Sequence, residues 1–116
     1  NINRVLPILS FKGNSWRKLK PHNWPNIRGC NWAIWVNDYL AINGSDETFE
    51  GWGAEDKDVA VRLINSGIRL KDGRYKSFVL HLWHPFASRE RNSEQTNIVN
   101  SRFANKTIFP NKGINN

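Results

Sequence analysis

Nothing in this sequence limits the fold as firmly as residues 55–65. Val59, Ala60, Leu63 and Ile64 fall on one face at helical spacing, and Gly67 stands where a helix stop favours a left-handed residue. The segment is expected to be an amphipathic helix with its apolar side on a core. In front of it runs Glu50-Gly51-Trp52-Gly53-Ala54-Glu55-Asp56-Lys57-Asp58. Glycines on both sides of Trp52 leave the backbone free to bend and to present an indole. The carboxylates of Glu55 and Asp56 then enter the first helical turn, where unpaired N–H groups and the helix dipole favour negative charge. That is a setting for a general base. It is also the setting of an ordinary helix start, where each acid contributes about 0.3–1 kcal/mol. The tryptophan has no capping role there, and an aromatic face beside a carboxylate suits a sugar ring.

Around this helix the chain reads as alternating strands and helices, hence an α/β class, or α+β for a fragment. Residues 1–27 look irregular, because Pro7, Gly13, Pro21 and Pro25 interrupt them and residues 21–25 should not hold a helix. Residues 31–36 alternate tryptophans with β-formers and predict a strand. One helical turn over 38–42 should end at Asn43-Gly44. Short strands are expected at 68–70 and 78–82. A more polar helix is expected at 93–104, with Ile98, Val99 and Phe103 on its apolar side. Residues 106–116 look like a loose tail.

With 116 residues there is room for one domain, and 39% hydrophobic against 23% charged residues is not the composition of a disordered chain. No apolar run approaches the roughly 18 residues of a membrane span. The N-terminus has no small-residue cleavage site, so a secretory leader is not expected. Cys30 stands alone, which excludes an internal disulfide or a multi-cysteine zinc site and suits a reducing compartment. The net charge of +7 is unevenly spread. Residues 1–37 hold six cations and no acid, whereas 38–58 hold seven acids (Asp38, Asp46, Glu47, Glu50, Glu55, Asp56, Asp58) against Lys57. The acidic island suggests a site built on carboxylates. The basic remainder suits a polyanion, a phosphate-bearing small molecule or an anionic membrane surface.

A second constellation is His81-Leu82-Trp83-His84-Pro85. Two close imidazoles can share a metal ion, with carboxylate or phosphate completing the shell. Strand alternation would aim them to opposite faces, so a bend before Pro85 is required. Asp56-Lys57-Asp58 formally reads D-x-D, but residues two apart on a helix do not face each other, so it is not taken as a metal pair. The basic N-terminal segment with Trp16 and Trp24 has the aromatic–cation mixture that binds single-stranded nucleic acid. It carries no nucleic-acid motif, however, and no nucleic-acid partner is expected.

Taken in order, Arg28-Gly29-Cys30-Asn31-Trp32-Ala33-Ile34-Trp35, Leu40-Ala41-Ile42-Asn43-Gly44, Gly51 to Asp58, Arg62-Leu63, Gly67 and His81 to Pro85 form a series. It resembles the C-terminal half of a GT-A glycosyltransferase, of the kind found in β-1,4-galactosyltransferases and bacterial family 2 glycosyltransferases. The resemblance covers about residues 28–85. It implies a mixed sheet with flanking helices over 28–105, contributing the acceptor and metal side of the enzyme. It implies inverting transfer of a galactose- or N-acetylgalactosamine-type group from a nucleotide-sugar, with a UDP-sugar as donor, to a glycan acceptor in polysaccharide synthesis.

By the same resemblance, Asp56 is the catalytic base and Glu55 helps bind the acceptor sugar. Trp52 lines the sugar sites, and Gly29 to Asn31 lie beside the donor sugar. His84 binds Mn²⁺ (or Mg²⁺), with His81 as a second ligand and a D-x-D aspartate outside this chain. The nucleotide-binding half carrying that aspartate is expected upstream of residue 1, which a first residue other than Met fits, and this chain alone is then expected to be inactive. Faces meant for that half should be exposed or paired with another copy. The implied location is cytoplasmic, with peripheral contact at the inner face of the membrane. The competing class is a non-catalytic module binding a glycan or a polyanion.

Overall fold

The computed structural model describes residues 17–18, 20–51, 53–73, 82–85 and 90–115. Its scaffold is two α-helices packed on one another, α2 (Glu55–Asn65) and α3 (Asn92–Asn105), preceded by a short α1 (Val36–Ala41). Two 3-10 turns, Pro21–Asn26 and Gly29–Asn31, lie ahead of α1. Among the described residues no helix is long and apolar enough to cross a membrane.

Helix α2 forms where its periodicity requires. Three acids occupy its first turn, and Arg62 its last, both favourable to the helix dipole. It stops in a Schellman motif: Gly67, at φ 96°, donates its N–H to the Ile64 carbonyl at 3.0 Å, and Ile68 donates to Leu63 at 2.9 Å. Two apolar clusters use two sides of this one helix. Val61 packs with Trp24, Ala54 and Val99, and Val59 and Leu63 pack with Ile42. The core therefore surrounds α2, which is buried without a break from Asp58 to Leu63.

Helix α3 follows its expected bounds within a residue or two. Val99 is fully buried and Phe103 half-buried, while Ile98 stays exposed. Asn65 at the end of α2 donates both amide hydrogens into the end of α3, to the carbonyls of Arg102 (3.0 Å) and Thr107 (2.8 Å). This lashes the two helix ends together: the Arg102 carbonyl, which also accepts the N–H groups of Lys106 and Thr107, and the Thr107 carbonyl just past α3 both take a hydrogen from α2.

Charge holds the same interface from inside. Arg102 Nη1 donates to Asp58 Oδ1 at 2.6 Å, and Arg102 Nη2 to Asp46 Oδ2 at 2.5 Å. Asp58 also accepts from Arg62 Nε at 2.8 Å, one turn along its own helix, and Arg62 Nη1 donates to the Ile42 carbonyl. Two carboxylates thus balance two guanidiniums, all four side chains buried. Balance of this kind is what makes buried charge tolerable.

Several sequence expectations change here. Residues 31–36 form no strand: a 3-10 turn covers Gly29–Asn31, an extended stretch follows, and α1 begins at Val36. Trp35 is 81% exposed and Val36 is also exposed, and among the described residues no strand pairs with this stretch. Pro21–Asn26 does hold a helix, a 3-10 one, with Pro21 at its first position, where a missing N–H costs nothing. Residues 68–70 are coil, and the β pairing among the described residues is a single antiparallel bridge, Lys18 with Lys71. The strand expected at 78–82 lies outside the described residues apart from Leu82. The tail is docked rather than loose. Asn111 and Lys112 donate their N–H groups to Asp46, Glu47 donates to the Lys112 carbonyl, and Ile114 donates to the Asn43 carbonyl. Gly113 fits this docking because a Cβ there would lie 2.4 Å from the Asn43 carbonyl oxygen.

Candidate active site

The site is built at the start of α2. Ala54, the residue before the helix, sits in the left-handed region at φ 56°, with its methyl in the core beside Trp24, Val61 and Val99. A non-glycine residue held there stores strain on the order of 1–3 kcal/mol, which the surrounding packing sustains. The sharp turn aims Glu55 and Asp56 in different directions. Glu55 is exposed and its Oε2 accepts the Gly53 N–H at 3.1 Å. Asp56 is half-buried. Its Oδ1 accepts the N–H of Lys57 at 2.7 Å, and its Oδ2 accepts the N–H of Gly29 at 2.6 Å from 27 positions away. The two short bonds fix the carboxylate, and each oxygen keeps a second lone pair for a hydroxyl.

Gly29 reaches Asp56 because it has no side chain. A Cβ at that position would stand 3.1 Å from the Asp56 Cβ and 3.2 Å from Oδ2, tighter than ordinary contact. The structure therefore brings together Gly29 and Asp56, two site residues nominated from distant parts of the sequence. Asn31 lies exposed at the end of the same 3-10 turn. Trp52 and His81 fall outside the described residues. His84 is exposed, with ring Nδ1 2.9 Å from the Pro85 carbonyl, and Trp83 beside it is 87% exposed.

No group of three or more His, Cys, Asp or Glu side chains converges to hold a metal ion among the described residues. They hold two imidazoles, His22, exposed in the first 3-10 turn, and His84, the one the motifs nominate, which fits one ligand of a shared ion rather than a closed cage.

The acidic island divides by role. Asp46 and Asp58 turn inward to Arg102 and belong to the scaffold. Burial works to raise the pKa of Asp46, but hydrogen bonds from Arg102, from the Asn111 N–H and from the Thr48 hydroxyl and N–H outweigh it. They hold its carboxyl well below the usual range. Glu55 and Asp56 face outward to where chemistry is possible.

Sequence reasoning missed the contribution of α3. Gln95 is buried and donates its Nε2 hydrogen to the Glu50 carbonyl at 2.9 Å, and Arg91 pairs with the Glu50 carboxylate at 2.8 Å. A signal was present: Gln95 lies one turn ahead of Val99, a polar residue on the helix's apolar side.

A family model described as the N-terminal domain of galactosyltransferase matches residues 14–85. The match spans well over half of the 116 residues, and the chain belongs to this galactosyltransferase family of glycosyltransferases. The description names an N-terminal domain, whereas the motif order pointed to the C-terminal half of an enzyme; galactosyltransferase character is what the two share. No curated protein and no solved structure matches the chain.

Proposed function

We propose that this chain is the acceptor- and metal-contributing C-terminal part of an inverting GT-A galactosyltransferase using a nucleotide-sugar donor, with Asp56 as the base. The observation carrying this reading is the Asp56 carboxylate itself. It is outward of the core at a helix start, held by two backbone N–H groups, with lone pairs left over. A carboxylate so placed accepts the proton of an acceptor hydroxyl as that oxygen attacks the sugar's anomeric carbon. Fixed geometry matters as much as basicity, since the attacking oxygen must stay in line with the departing group. Glu55, one position earlier on the exposed side, is placed to hold an acceptor hydroxyl, and Trp52 supplies an aromatic face. A divalent ion held by His84, His81 and an aspartate from elsewhere would neutralise the charge developing on the departing diphosphate.

The test is the isosteric change Asp56→Asn in the full-length enzyme. Turnover should fall at least about 100-fold while donor affinity changes little. Retained turnover would show that the base lies elsewhere. His84→Ala should weaken Mn²⁺-dependent donor binding; equal donor affinity across an Mn²⁺ titration would remove His84 from the ligand set.

A further inference from the structure

We propose that Gln95 on α3, beyond the family-matched residues 14–85, is a positioning residue for the candidate active site: it acts through the backbone of Glu50 and Gly53 to set the turn that aims Glu55 and Asp56. The role as stated rests on the galactosyltransferase reading above. The geometry does not.

Gln95 is only 4% exposed. Its Nε2 donates to the Glu50 carbonyl across 45 positions of sequence, while its Oε1 is buried without a hydrogen-bond partner. An unmet buried acceptor is destabilising, so an apolar side chain of the same shape would serve a core better. What the amide supplies that an apolar group cannot is the tie to Glu50. The orphan oxygen lies against Gly53, at 3.0 Å from where a Cβ would stand, with Asn92 Oδ1 at 2.9 Å from the same point. Gly53, at φ 140°, is thus held against α3 on the face a side chain would occupy. From Gly53 the connection is short. Its N–H binds the Glu55 carboxylate and its carbonyl accepts the Glu55 N–H at 2.8 Å, one residue before Asp56. The Arg91–Glu50 ion pair supports the same end of the turn but is exposed, and such pairs contribute little.

The experiment is amide hydrogen exchange, read by NMR on the intact chain, so it needs no substrate and is independent of the Asp56→Asn assay. Gln95→Met removes the amide and keeps the volume. Gln95→Glu keeps the shape and removes the donor, which guards against a variant that fails to fold. Both should exchange at Gly53 about five-fold faster than wild type, as expected for one lost hydrogen bond, with Val61 and Leu63 in α2 unchanged. On acidification, protonation of the introduced carboxyl restores an O–H donor. Gln95→Glu, compared with wild type at each pH to cancel titration of Glu55, which accepts the Gly53 N–H, and of Glu50 against Arg91, should then recover while Gln95→Met does not. Unchanged Gly53 exchange, equal acceleration at Val61 and Leu63, or no recovery on acidification would each overturn the assignment. If the exchange results hold and Asp56→Asn remains active, the positioning stands and the catalytic reading falls.

Discussion

At the scale of single residues, the site depends on an atom that is missing. Gly29 has no Cβ, and that lets its N–H come within 2.6 Å of the Asp56 carboxylate. Gly29→Ala would put a methyl 3.1–3.2 Å from Asp56, so the side chain must yield by a few tenths of an ångström. Displacements of about 1 Å in a catalytic group cost on the order of 100-fold in rate. A several-fold to roughly ten-fold loss of kcat is expected, with thermal stability almost unchanged. Steady-state kinetics of the full-length enzyme beside a melting curve would check this, and an unaltered kcat would mean that Gly29 does not set the carboxylate. The glycine and the acid were both legible in the sequence as motif residues. Their contact was not, because 27 positions separate them and nothing local requires it.

At the scale of elements, α2 and α3 are joined through the carboxylates and guanidiniums between them. The folded pKa of Asp46 lies below its ordinary value of 3.8. A carboxyl lowered on folding adds stability at pH above its unfolded pKa and loses it as pH falls toward the folded one. The urea midpoint should therefore be flat from neutral pH to about pH 5 and then decline below about pH 4, where the unfolded chain takes up the proton first. Asp46→Asn should lower stability at neutral pH and flatten that acid decline. An equally steep decline in the variant would show that other carboxyls govern it. Helices α2 and α3 could be read from periodicity because their apolar residues repeat every turn. Residues 31–36 could not be placed, since aromatic and β-branched side chains suit any extended backbone and do not report whether a partner strand lies beside them. The tail was illegible for a different reason: its ties to Asp46 run from backbone N–H groups at Asn111 and Lys112, which no side-chain pattern encodes.

At the scale of the whole molecule, large apolar side chains lie exposed before α2, beside His84 and in the tail, where Phe109 and Ile114 are more than half exposed. Trp35, Val36 and Leu40 at α1, and Leu82 and Trp83 beside His84, are all more than half exposed. Family membership was legible because several short motifs stood in a fixed order. The polar ties behind them were not, because Arg102, Gln95 and the docked tail lie past the matched residues and carry no motif of their own.

The buried ion network has a bearing on heredity and engineering. The region recognisable as family ends at residue 85, yet the guanidinium that neutralises Asp46 comes from residue 102. Grafting residues 14–85 into a relative would carry over Asp46 and Asp58 and leave Arg102 behind. A buried pair broken on one side typically costs 3–5 kcal/mol, a large share of what holds a domain of this size together. The smallest unit that can be exchanged with its ion pairs intact is therefore longer than the recognisable one.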